Sequence, residues 1–444
     1  MGHDNSWSRR EFLAAGSSLA LSAAGGALSA AAAESSGRFP SGFLWGAATA
    51  GHQVEGNDVY SDVWLLENVT PTTFIERAGD ACDSLDRWSE DLDLVGAIGL
   101  NCYRFSLEWS RIEPDRGFFS NAMLDHYKAI IAGCRQRGIM PVVTFNHFAA
   151  PRWFAASGGW EVADAAGRFA RYCERAARAL ADGMGYATTL NEPNALRLLR
   201  WLRLPFPADY KAKLQGMLKA AAKACGSEQF SSFITGDPQR MLDNTLNAHI
   251  QAYAAIKAVR PDLPVGVSLA MTDDQAVGPN SKRDEKRRDV YGAWMQVSKE
   301  HADFVGVQNY TRQLLDKNGP LPPPANAELG QTGDEVYPAS LEGAIRYAHE
   351  ASGKPIIVTE NGIATADDAV RARYIPRAIA GVHRAVSAGI PVLGYIHWSL
   401  LDNFEWVFGY RPKLGLVAVD RDTQKRTLKP SAAVYGAIAR SNRI

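Results

Sequence analysis

The sequence predicts a single-domain (β/α)8 TIM barrel over residues 34–444, and three observations carry that prediction. Eight short, nearly continuous apolar runs recur along the chain, the stretches between them space their apolar residues as helices do, and no Gly-rich dinucleotide fingerprint follows the first run. Strands apolar on both faces call for a parallel sheet covered by helices. Eight such units in a 444-residue chain suit a closed barrel, with an open doubly wound sheet as the second reading.

In chain order the strand candidates are "FLWGAATAG" (43–51), "CYRFSLEWS" (102–110), "MPVVTFNHF" (140–148), "YATTLNEP" (186–193), "PVGVSLA" (264–270), "DFVGVQNYT" (303–311), "PIIVTENG" (355–362) and "VLGYIHWSL" (392–400). The stretch "SLDRWSEDLDLVGAIGL" is typical of the intervening helices, with Leu85, Trp88, Leu92, Val95 and Ile98 at spacings of three and four. In the fourth strand Pro193 forbids further ladder pairing, which puts Glu192 just past the strand end. Two connections are long. Residues 194–240 include "YKAKLQGMLKAAAKA", read as a helix of its own, and residues 313–336 include "GPLPPPANAELGQTG", read as loop. Both leave the C-terminal ends of their strands, the face on which such barrels build their sites.

Residues 1–33 stand apart from the barrel. Arg9 and Arg10, a weakly apolar stretch from Phe12 to Ala30 and small residues before Glu34 resemble a bacterial twin-arginine export signal, with cleavage expected after Ala33. Its Gly, Ser and Ala content makes it a poor spanning helix, so the expectation is a soluble periplasmic or secreted protein passed through the twin-arginine machinery, with an uncleaved anchor as the alternative. Lys plus Arg equals Asp plus Glu at 48 each, which argues against a nucleic-acid partner, while 11 Trp suit a neutral ligand with apolar faces such as a sugar. The five cysteines (82, 102, 134, 173 and 225) show no metal-ligand spacing and imply no disulfide framework; no metal or cofactor is expected.

Chemistry collects at the strand ends. Glu360 follows the seventh strand as Glu192 follows the fourth, and in a closed barrel these strands face each other across the mouth. Paired carboxylates there point to glycoside hydrolysis. Gln53, Arg104, Trp109, His147, Asn191, Tyr310, Trp398, Glu405 and Trp406 also fall at or just past strand ends, more polar and aromatic groups than a core requires. A charge on Arg104 within an apolar strand is costly without an acidic partner, and a carboxylate at the mouth supplies one.

"FLWGAATAGHQVEG", "YRFSLEWSRIEP", "TLNEPN", "VTENG" and "HWSLLDNFEW" together resemble glycoside hydrolase family 1, the β-glucosidase family, from about Phe39 to Tyr435. The resemblance implies a retaining β-glycosidase acting on a small-molecule or oligosaccharide β-glycoside. Glu192 would be the acid/base and Glu360 the nucleophile; Arg104 and Tyr310 would flank Glu360. Gln53, His147, Asn191, Glu405 and Trp406 would bind sugar hydroxyls, and Trp398 would floor the ring. A transglycosidase on the same site and a sugar-binding relative without catalysis are the alternatives, the latter disfavoured because both acids are present.

Three segments depart from the family pattern. "VQNYT" places Gln308 and Asn309 where Asn and Tyr are usual and keeps Tyr310, "HFAAP" replaces the usual segment after His147, and the loop after Glu192 is not the usual one. Two expectations follow for the site's electrostatics. Arg104 should hold Glu360 ionised, while Glu192 beside a negative Glu360 should keep its proton. Glu405, in place of the Ser of phosphate-specific members, should repel a 6-phosphate at about 4 Å by on the order of 4 kcal/mol per unit charge at an effective dielectric near 20, unless Arg411 and Lys413 point inward.

Overall fold

The computed structural model describes residues 37–202 and 208–444, so the segment read as an export signal lies outside the described residues. Eight strands, β1 (Leu44–Ala48), β2 (Cys102–Ser106), β3 (Met140–Asn146), β4 (Tyr186–Asn191), β5 (Val265–Ala270), β6 (Phe304–Asn309), β7 (Ile356–Asn361) and β8 (Val392–Trp398), pair in sequence order and close through β8 and β1. All eight pairs are parallel. An outer ring of helices accompanies them: α1 (Ser84–Ile98), α2 (Asn121–Gln136), α3 (Ala165–Leu180), α4 (Pro238–Val259), α5 (Ala293–His301), α6 (Ser340–Ser352), α7 (Asp368–Ser387) and α8 (Pro430–Ser441).

Three of the eight helices, α2, α4 and α7, begin at a side chain that accepts from a free N–H group. Ser120 accepts from Met123 N ahead of α2, and Asp237, followed by Pro238, accepts from Gln239 N ahead of α4. Every residue of β1, β2, β5, β6 and β7 is buried, which is why these strands read as unbroken apolar runs. The seam is sealed from α8: the Tyr435 hydroxyl lies 2.9 Å from Gly46 O and 3.0 Å from Tyr395 O, joining β1 to β8, while Asn442 Oδ1 accepts from Trp45 Nε1 at 2.9 Å.

The eight strands fall where the sequence places them, but six of them end two to four residues sooner, β7 ends one residue sooner, and β5 ends where expected. The apolar run continues after the ladder stops because the chain turns into buried loops. "LEWS" is the clearest case: Trp109 opens a short helix, Trp109–Ile112, stacks on Tyr172 at 5.1 Å and donates Nε1–H to Glu113 at 2.8 Å. It packs between barrel and helices, away from the mouth. Glu360 corrects in the other direction: it lies within β7, paired with Gln308, and not beyond it.

The helix read in the fourth connection is present as Tyr210–Ala224. The 313–336 region is more ordered than its Pro-rich composition indicates, since Arg312–Asp316 pairs in parallel with Asp273–Ala276 and antiparallel with Gly319–Pro320. The partner strand "DDQA" carries no apolar signature, so a contact distant in sequence supplies what local pattern lacks. All five cysteines are free, and four of them are buried.

The barrel ladder is regular except along the two strands that end at the acids. β4 slips against β5 between Thr188 and Asn191, and β7 slips against β6 between Val358 and Glu360 and against β8 on both sides of Ile357–Val358. The five remaining barrel pairs run without a slip.

Candidate active site

At the C-terminal mouth a cavity of about 260 Å³ is lined by Gln53, His147, Asn191, Glu192, Tyr310, Glu360, Trp398, Glu405 and Trp406. Of the ten candidates the sequence singles out for the site, nine therefore meet on one surface. The tenth, Arg104, lies beneath it with no exposed surface and reaches Glu360 from below.

Glu360 is held at both oxygens. Arg104 Nη1 donates to Oε1 at 2.6 Å and the Tyr310 hydroxyl donates to Oε2 at 2.6 Å. Burial pushes its pKa up, and Arg104 and Tyr310 pull it back. Glu192 follows β4 with φ +45° and anchors its backbone by donating N–H to Ser268 O at 2.8 Å. Its carboxyl has no hydrogen-bond partner among the described residues. Burial raises it well above the ordinary carboxylate range, the charge on Glu360 adds to the rise, and Arg104 opposes it. Burial raises both acids, and Glu360 has hydrogen bonds from Arg104 and Tyr310 that oppose the rise, whereas the Glu192 carboxyl has none.

Asn191 organises the side chains around Arg104. Its Oδ1 accepts from Arg104 Nη2 at 2.6 Å and from Gln308 Nε2 at 2.8 Å, and since Arg is a donor only, the amide orientation is fixed. Asn191 Nδ2 then donates to His147 Nε2 at 3.1 Å, which places the imidazole proton on Nδ1. Burial and the neighbouring Arg104 hold His147 well below its usual pKa, so it stays neutral. Its Nδ1 and the Oε1 of Gln53 are buried without a protein partner, two polar atoms waiting at the cavity for a ligand.

The far wall comes from the segment after β8. Glu405 Oε1 accepts from Trp398 Nε1 at 3.3 Å, and burial pushes Glu405 up to about 8. Burial outweighs its hydrogen bonds to Trp398 and Gln53, so this acid gives up its proton less readily than an exposed carboxylate. Pro412 and Leu414 line the cavity whereas Arg411 and Lys413 do not. Gly362 lines it too, where a Cβ would come within 2.1 Å of Trp398 O, so only glycine fits between the strand ends.

Sequence reading missed the layer behind Trp406. His52 stacks on the indole at 5.7 Å and 8°, and bonds Glu67 at 2.7 Å. Burial works against its charge, but Glu67 and Asp58 outweigh that and raise His52 to about 10. Asp58 accepts from Ser110 at 2.6 Å, and Glu55 pairs with Arg111 at 2.8 Å, so a buried set of charges backs the wall. "HQVEG" was the available signal, four polar or flexible positions within a buried segment. Phe148, Asp334 and Phe408 at the rim were also missed; no periodic pattern marks loop residues.

A glycosyl hydrolase family 1 model matches residues 35–318 and 295–444 of the chain. The chain is 29% identical to a β-glucosidase A of Thermotoga maritima, over 91% of this chain and 98% of that protein, and 31% identical to a thermostable β-glucosidase B of Thermobispora bispora, over 93% of each. Among solved structures, an apo β-glucosidase superposes with a TM-score of 0.87 at 44% identity, covering 90% of this chain and 98% of that one. The Thermotoga maritima β-glucosidase in complex with glucoimidazole superposes at 0.79 with 26% identity, covering 92% and 100%.

Proposed function

The chain belongs to glycosyl hydrolase family 1 and is a retaining β-glucosidase, and from that premise we propose that Glu360 is its nucleophile and Glu192 its acid/base. One observation carries the assignment: Glu360 is fixed at both oxygens by Arg104 and Tyr310, whereas Glu192 has no such donors and is pushed higher in pKa. Glu360 attacks C1 as a carboxylate while the C1–oxygen bond breaks and Glu192 gives its proton to the leaving oxygen. Glu192, now a carboxylate, takes a proton from water; that water attacks C1 and releases Glu360. Two inversions return the β configuration. Gln53, His147 and Asn191 bind hydroxyls of the ring with Glu405 and Trp406, and Trp398 lies under it. A 2-deoxy-2-fluoro-β-glucosyl fluoride is expected to label Glu360, within the peptide covering 355–371; a label on any other residue overturns the assignment.

The sugar is neutral on this reading. The lining holds five acids and, among its described residues, no Lys or Arg, so a 6-phosphate would meet carboxylates without a counter-charge. 4-Nitrophenyl β-glucoside is expected to turn over at least tenfold faster than its 6-phosphate, and the reverse order would refute this. Export remains part of the proposal, supported by Arg9, Arg10 and the small residues before Glu34; among the described residues no helix is long and apolar enough to cross a membrane. An exported protein beginning at Glu34 on N-terminal sequencing is the expected result, and cytoplasmic retention of the whole chain contradicts it.

A further inference from the structure

We propose that the leaving-group side of the site selects β-glucosides of bulky apolar alcohols, aryl or arylalkyl, over β-linked disaccharides; this rests on Glu192 being the acid. A second cavity, of about 390 Å³, adjoins the first and shares Phe148, Glu192, Tyr310 and Trp406 with it. A group leaving from C1 past Glu192 enters this space.

Its wall comes from the unusual loop after the acid. The short helix Ala195–Trp201 supplies Leu196, Leu198 and Leu199, and Phe233, Ile234 and Met271 complete the apolar lining. Leu199 is 39% exposed, apolar surface left in water beside a reaction centre. Neither charge of the same helix lines the cavity: Arg197 is ion-paired with Asp289 and donates to Gln239, and Arg200 is exposed.

Among the described residues, most polar groups that face the cavity are already used within the protein. The Thr272 hydroxyl donates to Asp274 at 2.7 Å and receives Lys286 Nζ at 2.6 Å. Gln308 Nε2 is bonded to Asn191, and the Thr311 hydroxyl donates to Glu335 O at 2.9 Å. A second sugar would lose the water around several hydroxyls and find few acceptors among the described residues in return, mainly Gln308 Oε1 and the carboxylate of Asp334. A flat apolar aglycone has no hydroxyls to satisfy and gains from burial against the leucines, and the volume lies in the range that holds a ligand of one or two fused rings.

Substrates with alcohol leaving groups of similar basicity test this without confusing fit with chemistry. Methyl β-glucoside, 2-(2-naphthyl)ethyl β-glucoside and cellobiose are assayed by released glucose, beside β-glucosyl fluoride, whose leaving group is too small to fill the second cavity. The naphthylethyl glucoside is expected to exceed both methyl glucoside and cellobiose at least tenfold in kcat/KM. Leu199→Asn, at an exposed position, is expected to lower the ratio of naphthylethyl to fluoride turnover at least threefold. Cellobiose as fast as the naphthylethyl glucoside, or a ratio that Leu199→Asn does not move, overturns the proposal. Failure of the wild-type protein to turn over the fluoride would instead strike at the assignment of Glu192 and Glu360.

Discussion

Glu360→Ala is expected to lower kcat on 4-nitrophenyl β-glucoside by at least about 10⁴-fold, because the group that forms the covalent bond is gone and water is not held in its place. Azide should restore part of the turnover by entering the space of the lost carboxyl, and its product should be the α-glucosyl azide, one inversion instead of two. The same change strands Arg104, which has no exposed surface and is ion-paired with Glu360. Removing one partner of a buried pair costs about 3–5 kcal/mol, so the variant should also melt earlier. Glu360→Gln keeps an acceptor for Arg104 and separates the effects: it should regain much of the stability and none of the rate. A Glu360→Ala protein with more than a hundredth of wild-type kcat would rule out this residue as the nucleophile.

Glu192→Ala is expected to cut kcat/KM by about 10²–10⁴-fold for substrates with poor leaving groups such as methyl β-glucoside, and far less for 2,4-dinitrophenyl β-glucoside, which departs without a proton. The pH profile gives a second reading of the same residue. Glu192 must start protonated, and its pKa is raised, so activity persists above the ordinary carboxylate range and is lost as pH rises through that raised value. Glu360 must start ionised, so activity is lost at the acid side as pH falls through its own value, which Arg104 and Tyr310 keep below that of Glu192. The two limbs belong to the coupled pair. In Glu192→Ala the alkaline limb should vanish and the acid limb remain. An unchanged alkaline limb would point to a different acid.

Much of this site could be read from residue types at strand ends, because a parallel barrel gathers those ends on one face. Arg104 was legible as a charge in need of a carboxylate, and Glu360 is that partner. Trp109 was misread because strand length cannot be taken from an apolar run that continues into a buried helix. The raised pKa of Glu405 was not legible, since it follows from desolvation by a wall assembled from β1, β8 and the segment after β8. The strand Asp273–Ala276 was hidden for the related reason that its order comes from pairing with Arg312–Asp316 and not from its own side chains.

The ladder slips beside Glu192 and Glu360 make residue count, as well as residue identity, part of the active site. In a strand, successive side chains point to opposite faces, so loss or gain of one residue between Val358 and Glu360 would turn the carboxyl from the mouth toward the outer helices. Divergence by insertion and deletion is therefore closed to β4 and β7 at their ends and open to the long segments after β4 and β6. Remodelling those segments can exchange what the site accepts as leaving group, provided the phase of two short strands is left unchanged.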